Sequence, residues 1–239
     1  MDNLMTSAVG LIASETRQVE TAAQNVANLA TPGYKRLITF ADAVSQAETS
    51  LPSHLSHDRV DRRDATDFKP GRMMHTGNPL DLALASEGFF ALATPGGLAY
   101  SRGGSFQLDA NGRFVTPEGW VLQGNGGGDV VVRSQNWRVL ADGTVLDDGQ
   151  PVAVIGTASF AHPNQLARLG KGLYGANGAQ PVELTDPRVL QGYLETSNVA
   201  NGDEMIRMMA AMRRIEAGQK LVHVYDDMMG AVLQRLGDM

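Results

Sequence analysis

Residues 205–236 read MIRMMAAMRRIEAGQKLVHVYDDMMGAVLQRL, and the spacing of their apolar members decides the fold. Met205, Met208, Met212, Ile215, Gln219, Val222, Asp226, Met229, Leu233 and Leu236 recur at steps of three and four. Such a 3.5-residue repeat holds a seam on one side of a helix, where another helix has to cover it. The N-terminal segment repeats the pattern with Met5, Val9, Ile12, Thr16, Val19, Ala23, Val26 and Ala30. Between the two stripes the chain reads as β-structure, so the partners at hand are the two ends themselves and copies of them in neighbouring molecules. An ordinary helical hairpin packed on the β-domain satisfies the same periodicity, and the repeat alone leaves both readings open. At about 1.5–3 kcal/mol for each large apolar side chain buried, covering both stripes is worth on the order of 20 kcal/mol before ordering entropy. Gln219 and Asp226 stand inside the C-terminal stripe, where polar residues fix register and partner number. Met5, Met205, Met208, Met212 and Met229 suit an interface that adapts to slightly different neighbours.

Composition narrows the function. The 239 residues are 43% hydrophobic but only 6% aromatic, with 27 glycines, which suits turn-rich β-structure joined to Ala- and Met-rich helix. A formal charge of −6 and the lack of any long Lys/Arg run argue against a nucleic-acid partner. The absence of cysteine rules out disulfides and thiolate metal sites. The apolar run Leu4 to Ala13 follows Asp2 rather than a basic start and meets Glu15 and Arg17 at once, so no cleaved signal peptide is expected. No segment approaches the ~18 apolar residues of a membrane span, so no membrane insertion is expected.

Four regions follow: residues 1–36, an N-terminal helix and its exit; 37–75, a linker or arm; 76–190, a central β-domain; and 191–239, a C-terminal helix. The first helix is expected to end near Ala30, because Pro32 and Gly33 cannot continue it. Residues 42–72 are polar and charged, with little to fill a core, and read as an arm that orders on contact. From Pro79 to Leu184 short apolar runs alternate with turn signals such as Asn111-Gly112, Pro117-Glu118-Gly119, Asp142-Gly143 and Asp148-Gly149, giving eight to twelve short strands. Leu80, Leu82 and Leu84 alternate with Asp81 and Ala83, as on a strand with one covered face. The fold class is α+β: paired N- and C-terminal coiled-coil helices with a central all-β domain.

Motifs for chemistry are weak. His54-x-x-His57 with Asp58 lacks a third fixed ligand. Gly124-Asn125-Gly126-Gly127-Gly128 lacks the Lys-Ser/Thr and helix of a phosphate loop, and Asp109-Ala110-Asn111-Gly112 lacks the Glu that closes a calcium loop. No metal, cofactor or catalytic residue is assigned.

Three ordered blocks carry a family resemblance. Asn25-Val26-Ala27-Asn28-Leu29-Ala30-Thr31-Pro32-Gly33-Tyr34-Lys35-Arg36 resembles the N-terminal signature of bacterial flagellar rod and hook proteins. Gly77-Asn78-Pro79-Leu80-Asp81, Glu87-Gly88-Phe89-Phe90, Tyr100-Ser101-Arg102 and Gly104-Ser105-Phe106 match its middle, and Leu194-Glu195-Thr196-Ser197-Asn198-Val199 with Glu204-Met205-Ile206 its C-terminal pattern. Pro32 departs from it, standing where the family more often has a small or polar residue. The short length resembles a rod subunit rather than the larger hook subunit, with the proximal rod first and the distal rod second. The resemblance implies a structural, non-enzymatic subunit of the basal-body rod in the periplasm, with terminal helices packed as a tube that carries torque. Its implied partners are copies of itself, other rod proteins and the flagellar type III export machinery, which passes such subunits without cleavage. In the signature, Asn25 and Asn28 lie one turn apart and their amides can bridge to backbone or to a neighbour; Thr31 and Gly33 turn the chain, Tyr34 anchors it, and Lys35 and Arg36 place charge where neighbours meet. A different class remains as the alternative: a carbohydrate-active β-domain enzyme with helical oligomerisation arms.

Overall fold

A computed structural model describes residues 2–39 and 65–237. Within them the chain forms two units, one of residues 2–27, 37–39, 65 and 199–237, the other of Asn28–Arg36 and Thr66–Asn198. The fold is α+β, with a helix at each end and β-structure between.

The first unit is built on helices α1 (Asp2–Ala27) and α2 (Asn201–Gly237). Helix α1 ends three residues earlier than the stripe suggested, in a turn where the Thr31 N–H donates to the Asn28 carbonyl at 3.1 Å. Asp203 and Glu204 occupy the first turn of α2, where carboxylates complement the positive end of the helix dipole. Strand β1 (Leu37–Ile38) is buried and pairs with β2 (Ala65–Thr66). The expected arm over residues 42–72 lies outside the described residues as far as 64. From Ala65 onward it is corrected: Phe68 packs edge-on against Phe89, with ring centres 5.6 Å apart, and closes part of a core.

The second unit is antiparallel throughout its described pairings. Its nine-stranded sheet runs β14 (Ala167–Gly170), β15 (Leu173–Gly175), β6 (Gly97–Ser101), β5 (Phe89–Thr94), β9 (Val121–Leu122), β8 (Phe114–Val115) and β7 (Gln107–Leu108), with β13 (Thr157–Ser159) and β16 (Val182–Glu183) branching from β5. A second sheet holds β10 (Trp137–Val139), β11 (Thr144–Asp147) and β12 (Gln150–Val154). Two short ladders join β3 (Met73–His75) to β18 (Tyr193–Glu195) and β4 (Leu82–Leu84) to β17 (Val189–Gln191). The predicted turns make hairpins: Asp109–Gly112 links β7 to β8, and Asp148–Gly149, with φ of 49° and 79°, links β11 to β12. Thirteen strands, β4 to β16, occupy the stretch read as eight to twelve, the excess being two-residue ladders with little sequence signal. Strand β4 is also covered on both faces, since Asp81 and Ala83 are buried along with Leu82 and Leu84. The main core gathers Leu82, Phe90, Leu92, Phe106, Phe114 and Leu122; a second cluster holds Phe89, Tyr100, Phe160 and Tyr174.

Candidate assembly interface

The helices pair antiparallel, and three contacts fix their level. Near one end the Asn25 amide donates to Glu204 Oε2 at 3.1 Å. Ten residues along each helix, Arg214 donates to Glu15 Oε2 at 3.2 Å. Beyond that, Gly218 passes so close to Ile12 that an added Cβ would sit 2.9 Å from Ile12 Cγ1. Asn25 is fully buried and holds a third segment as well: it donates to the Leu37 carbonyl and accepts the Leu37 N–H, both at 2.8 Å. The signature amide thus bridges to backbone.

The inner faces differ from the stripes by a regular offset. Met5, Ile12, Val19 and Val26 on α1, and Met208, Ile215, Val222 and Met229 on α2, are partly covered as members of a seam. At the alternate positions the covered residues are Ala8, Glu15 and Ala22, and Glu204, Ala211, Gly218 and Tyr225. Val9, Thr16, Ala23, Met205, Met212, Gln219 and Asp226 stand one residue further on and are exposed, as is Ala30 beyond the helix. Side chains of Leu233 and Leu236 lie outside the described residues. The offset has a physical cause: closely approaching helices favour small residues and a paired carboxylate at the contact, while a reading by hydrophobicity favours the larger neighbour. The register role given to Gln219 and Asp226 is corrected accordingly, since both are exposed and the buried polar residues of the two helices are Glu15, Thr21, Asn25 and Glu204.

What the seam leaves outside is apolar. Met205, Ile206, Met209 and Met212 are exposed on α2, and so are Leu221, Val224 and Met228 further along. The latter three join Met5, Ala8 and Leu11 around an open groove of about 340 Å³. Exposed Val9 adds to the apolar surface of α1.

The rest of the signature sits in the β unit, and its chemistry is interior. Gly33 has φ +68°, and a Cβ there would collide with the Arg102–Gly103 backbone, so glycine is required on both counts. Tyr34 is buried under the Arg168 guanidinium, 5.2 Å from the ring centre. Lys35 is wholly buried, which corrects its assignment to a surface where neighbours meet. Its Nζ donates to Glu195 Oε1 at 2.5 Å and to the Lys69 carbonyl at 2.9 Å. Glu195 Oε1 also accepts the Gly71 N–H at 2.7 Å, and Arg102 lies 3.5 Å from Oε2. Burial pulls the Lys35 and Arg102 pKa values down, against the pull of the Glu195 carboxylate. Asn198 ties Arg36, Asp67 and Lys69 together through its amide, and Thr31 donates to Asn28 Oδ1 at 3.3 Å. Glu195 and Asn198 stood in the sequence only as members of the C-terminal pattern, and nothing local assigned them to Lys35 and Arg36, 160 and 162 residues away. Among the described residues no group of His, Asp and Glu is gathered as a metal site, and no helix is long and apolar enough to cross a membrane. His54 and His57 lie outside the described residues.

The flagellar basal body rod FlgEFG protein C-terminal family matches residues 190–235, and the flagellar hook protein FlgE/F/G D1 domain matches residues 83–147. Against the flagellar basal-body rod protein FlgF of Escherichia coli (strain K12) the chain is 32% identical over 99% of both proteins. The chain belongs to the flagellar basal-body rod protein family. FlgG of Buchnera aphidicola subsp. Schizaphis graminum is 30% identical over 97% of this chain and 98% of its own, and FlgG of Bacillus subtilis 30% over 89% and 90%. Members of the rod family are structural proteins rather than enzymes. The first matched segment takes in α2 and its outward methionines; the second covers the centre of the β unit.

Proposed function

We propose that this chain is a structural subunit of the flagellar basal-body rod, at the proximal position, which polymerises through its terminal helices and transmits torque across the periplasm. The observation that carries the reading is the outward apolar surface of a helix pair whose inner seam is already filled: Ile206, Met209, Val224 and Met228 are each more than half exposed. Isolated, this surface forfeits its burial energy; against neighbouring helices, packed as in a coiled coil, it becomes a shared core. Copies of the chain, other rod proteins and the flagellar export machinery are the partners, and the subunit leaves without cleavage. The proximal assignment follows the near-complete coverage of the FlgF relative, while the distal position is the reading to beat because FlgG relatives align almost as fully.

Complementation tests both levels. Expressed in cells lacking FlgF, the chain should restore swimming and complete rods; in cells lacking FlgG it should not. Rescue of the second strain alone moves the subunit to the distal rod. A chain cut before residue 205 that still enters rods and supports swimming overturns the role of the helices.

A further inference from the structure

We infer that Asn177 is a self-modification site: the Gly178 nitrogen displaces its side-chain amide, and the turn that holds both comes to contain aspartate or isoaspartate. The chemistry needs only this chain and water, so it stands apart from the assembly reading.

Four asparagines precede a glycine, Asn111, Asn125, Asn177 and Asn201, and each of them follows alanine or glycine. Their local sequences are nearly the same, so what separates them is the fold. Asn177 and Gly178 are the central residues of a turn, with φ of 45° and 84°, closed by the Ala179 N–H on the Ala176 carbonyl at 2.7 Å. That bond spans the turn and leaves the Gly178 N–H without an acceptor among the described residues. Both residues are exposed, and a Cβ on Gly178 would meet nothing within 4 Å. The Asn177 amide has one long contact, 3.4 Å, to the Gln165 carbonyl.

The other three pairs are tied down. Gly112 donates its N–H to the Asp109 carbonyl at 3.0 Å, and a Cβ there would lie 1.9 Å from the Val132 oxygen, so that pair is locked in place. The Asn125 amide donates to Glu183 and its backbone N–H to the Val154 carbonyl at 2.7 Å; the neighbouring carboxylate also opposes a new negative charge. Asn201 opens α2, whose helical dihedrals hold the Gly202 nitrogen away from the Asn201 Cγ. At Asn177 the deprotonated Gly178 nitrogen attacks Cγ, an N–C bond forms, the Cγ–Nδ2 bond breaks, and ammonia leaves with the proton that Gly178 gave up. Water then opens the five-membered imide. Opening at Cγ gives aspartate; opening at the backbone carbonyl gives isoaspartate, with Gly178 attached through the former side chain. Isoaspartate adds a carbon to the backbone of a turn whose flanks, Ala176 and Ala179, pack against the cluster of Phe89, Tyr100, Phe160 and Tyr174. Lengthening the turn lifts that cover.

The four pairs fall on separate tryptic peptides, 103–113, 114–133, 172–188 and 189–207, so one digest reads them all by mass. The purified chain is aged in mildly alkaline buffer, with a parallel sample in guanidinium chloride to remove the fold. In denaturant all four peptides should gain the acid-for-amide mass shift together. In the folded chain 172–188 should gain it first and split into two chromatographic peaks, aspartate and isoaspartate, with 103–113 trailing. Another peptide leading, or 172–188 staying unmodified while the denatured sample reacts, overturns the inference. A second arm tests the consequence. Asn177→Gly suits the positive φ and has no amide to lose. The urea midpoint of the aged parent should fall and that of the aged variant should hold; equal losses in both place the damage elsewhere and overturn the role of the turn.

Discussion

The two units are made from similar apolar residues and finish differently. In the β unit Leu82, Phe90, Leu92, Phe114 and Leu122 have no exposure at all, and even the charges Lys35 and Glu195 are enclosed and paired. In the helical unit a seam of small residues, a few polar contacts, strand β1 and Val199 are closed, while Met209 and Val224 remain 53% and 58% exposed. One unit completes its own core; the other stops half-way and presents the remainder outward. A subunit that must be stable alone and still bind its neighbours divides those tasks between separate pieces of chain. The division makes unequal demands on mutations, and both tryptophans, Trp120 and Trp137, lie in the β unit, so fluorescence follows it while far-UV circular dichroism follows the helices.

The largest effect is expected where the β unit is most self-contained. Lys35→Met strips Glu195 of its closest partner and leaves a buried carboxylate with the Gly71 N–H and the longer Arg102 contact. Breaking a buried pair from one side costs about 3–5 kcal/mol. Urea unfolding followed by tryptophan fluorescence should show that loss, and the double variant Lys35→Met with Glu195→Gln should recover part of it. A loss below about 1 kcal/mol, the worth of a surface pair, places Lys35 in contact with water and erases the contrast between the units.

A smaller effect appears at alkaline pH. Burial pushes the Tyr174 phenol up to about 12, whereas an unfolded tyrosine ionises near 10. Below pH 10 the group is neutral in both states and stability is unaffected. Between 10 and 12 the unfolded chain gives up its proton while the folded chain largely keeps it, so stability falls as pH rises, by about 2 kcal/mol across that interval. Lys35 opposes this: its lowered pKa means the fold sheds a proton first, so its contribution rises with pH toward the ordinary lysine value of 10.5. Tyr174→Phe separates the two. Its hydroxyl has no hydrogen-bond partner among the described residues, so the variant should match the parent at pH 7 and lose most of the fall above pH 10, the remainder belonging to Tyr100, which burial also pushes up. A parent whose tryptophan-monitored stability is flat from pH 10 to 12 contradicts the enclosed aromatic cluster.

What was legible in the sequence follows the same division. Hairpins of the β unit were readable because Asn-Gly and Asp-Gly meet a local backbone demand, as at Asp109–Gly112 and Asp148–Gly149. The helices were readable as helices, and within the chain Ile12, Val19, Ile215 and Val222 of the two stripes are apolar and partly covered. The other half was displaced by one position, since Ala8, Ala22, Ala211 and Gly218 owe their place to how closely two backbones approach, which hydrophobicity does not record. Lys35 was read as surface because a lone lysine usually is; what encloses it, Glu195 and the Gly71 N–H, is brought there only by the tertiary fold. Asn25 makes its backbone contacts to Leu37, a residue that nothing in the sequence had placed beside the helix.

The smallest effect tests the displaced seam, and it uses two adjacent residues. Ala211 is fully buried and Met212 is exposed, although Met212 is by far the more hydrophobic side chain. If the covered side runs through Ala211, enlarging it with Ala211→Leu overpacks the helix contact at a cost of about 1–3 kcal/mol. Met212→Ala removes three heavy atoms from water rather than from a core, and its effect on the isolated chain should stay within about 0.5 kcal/mol. Thermal melts read by circular dichroism at 222 nm give both numbers on one instrument. The reverse ranking, a costly Met212→Ala beside a silent Ala211→Leu, returns the seam to the larger residues and takes Met212 off the surface. The expected ranking leaves Met212 with no work to do inside its own molecule, so any loss of rod incorporation it causes belongs to the contact with the next one.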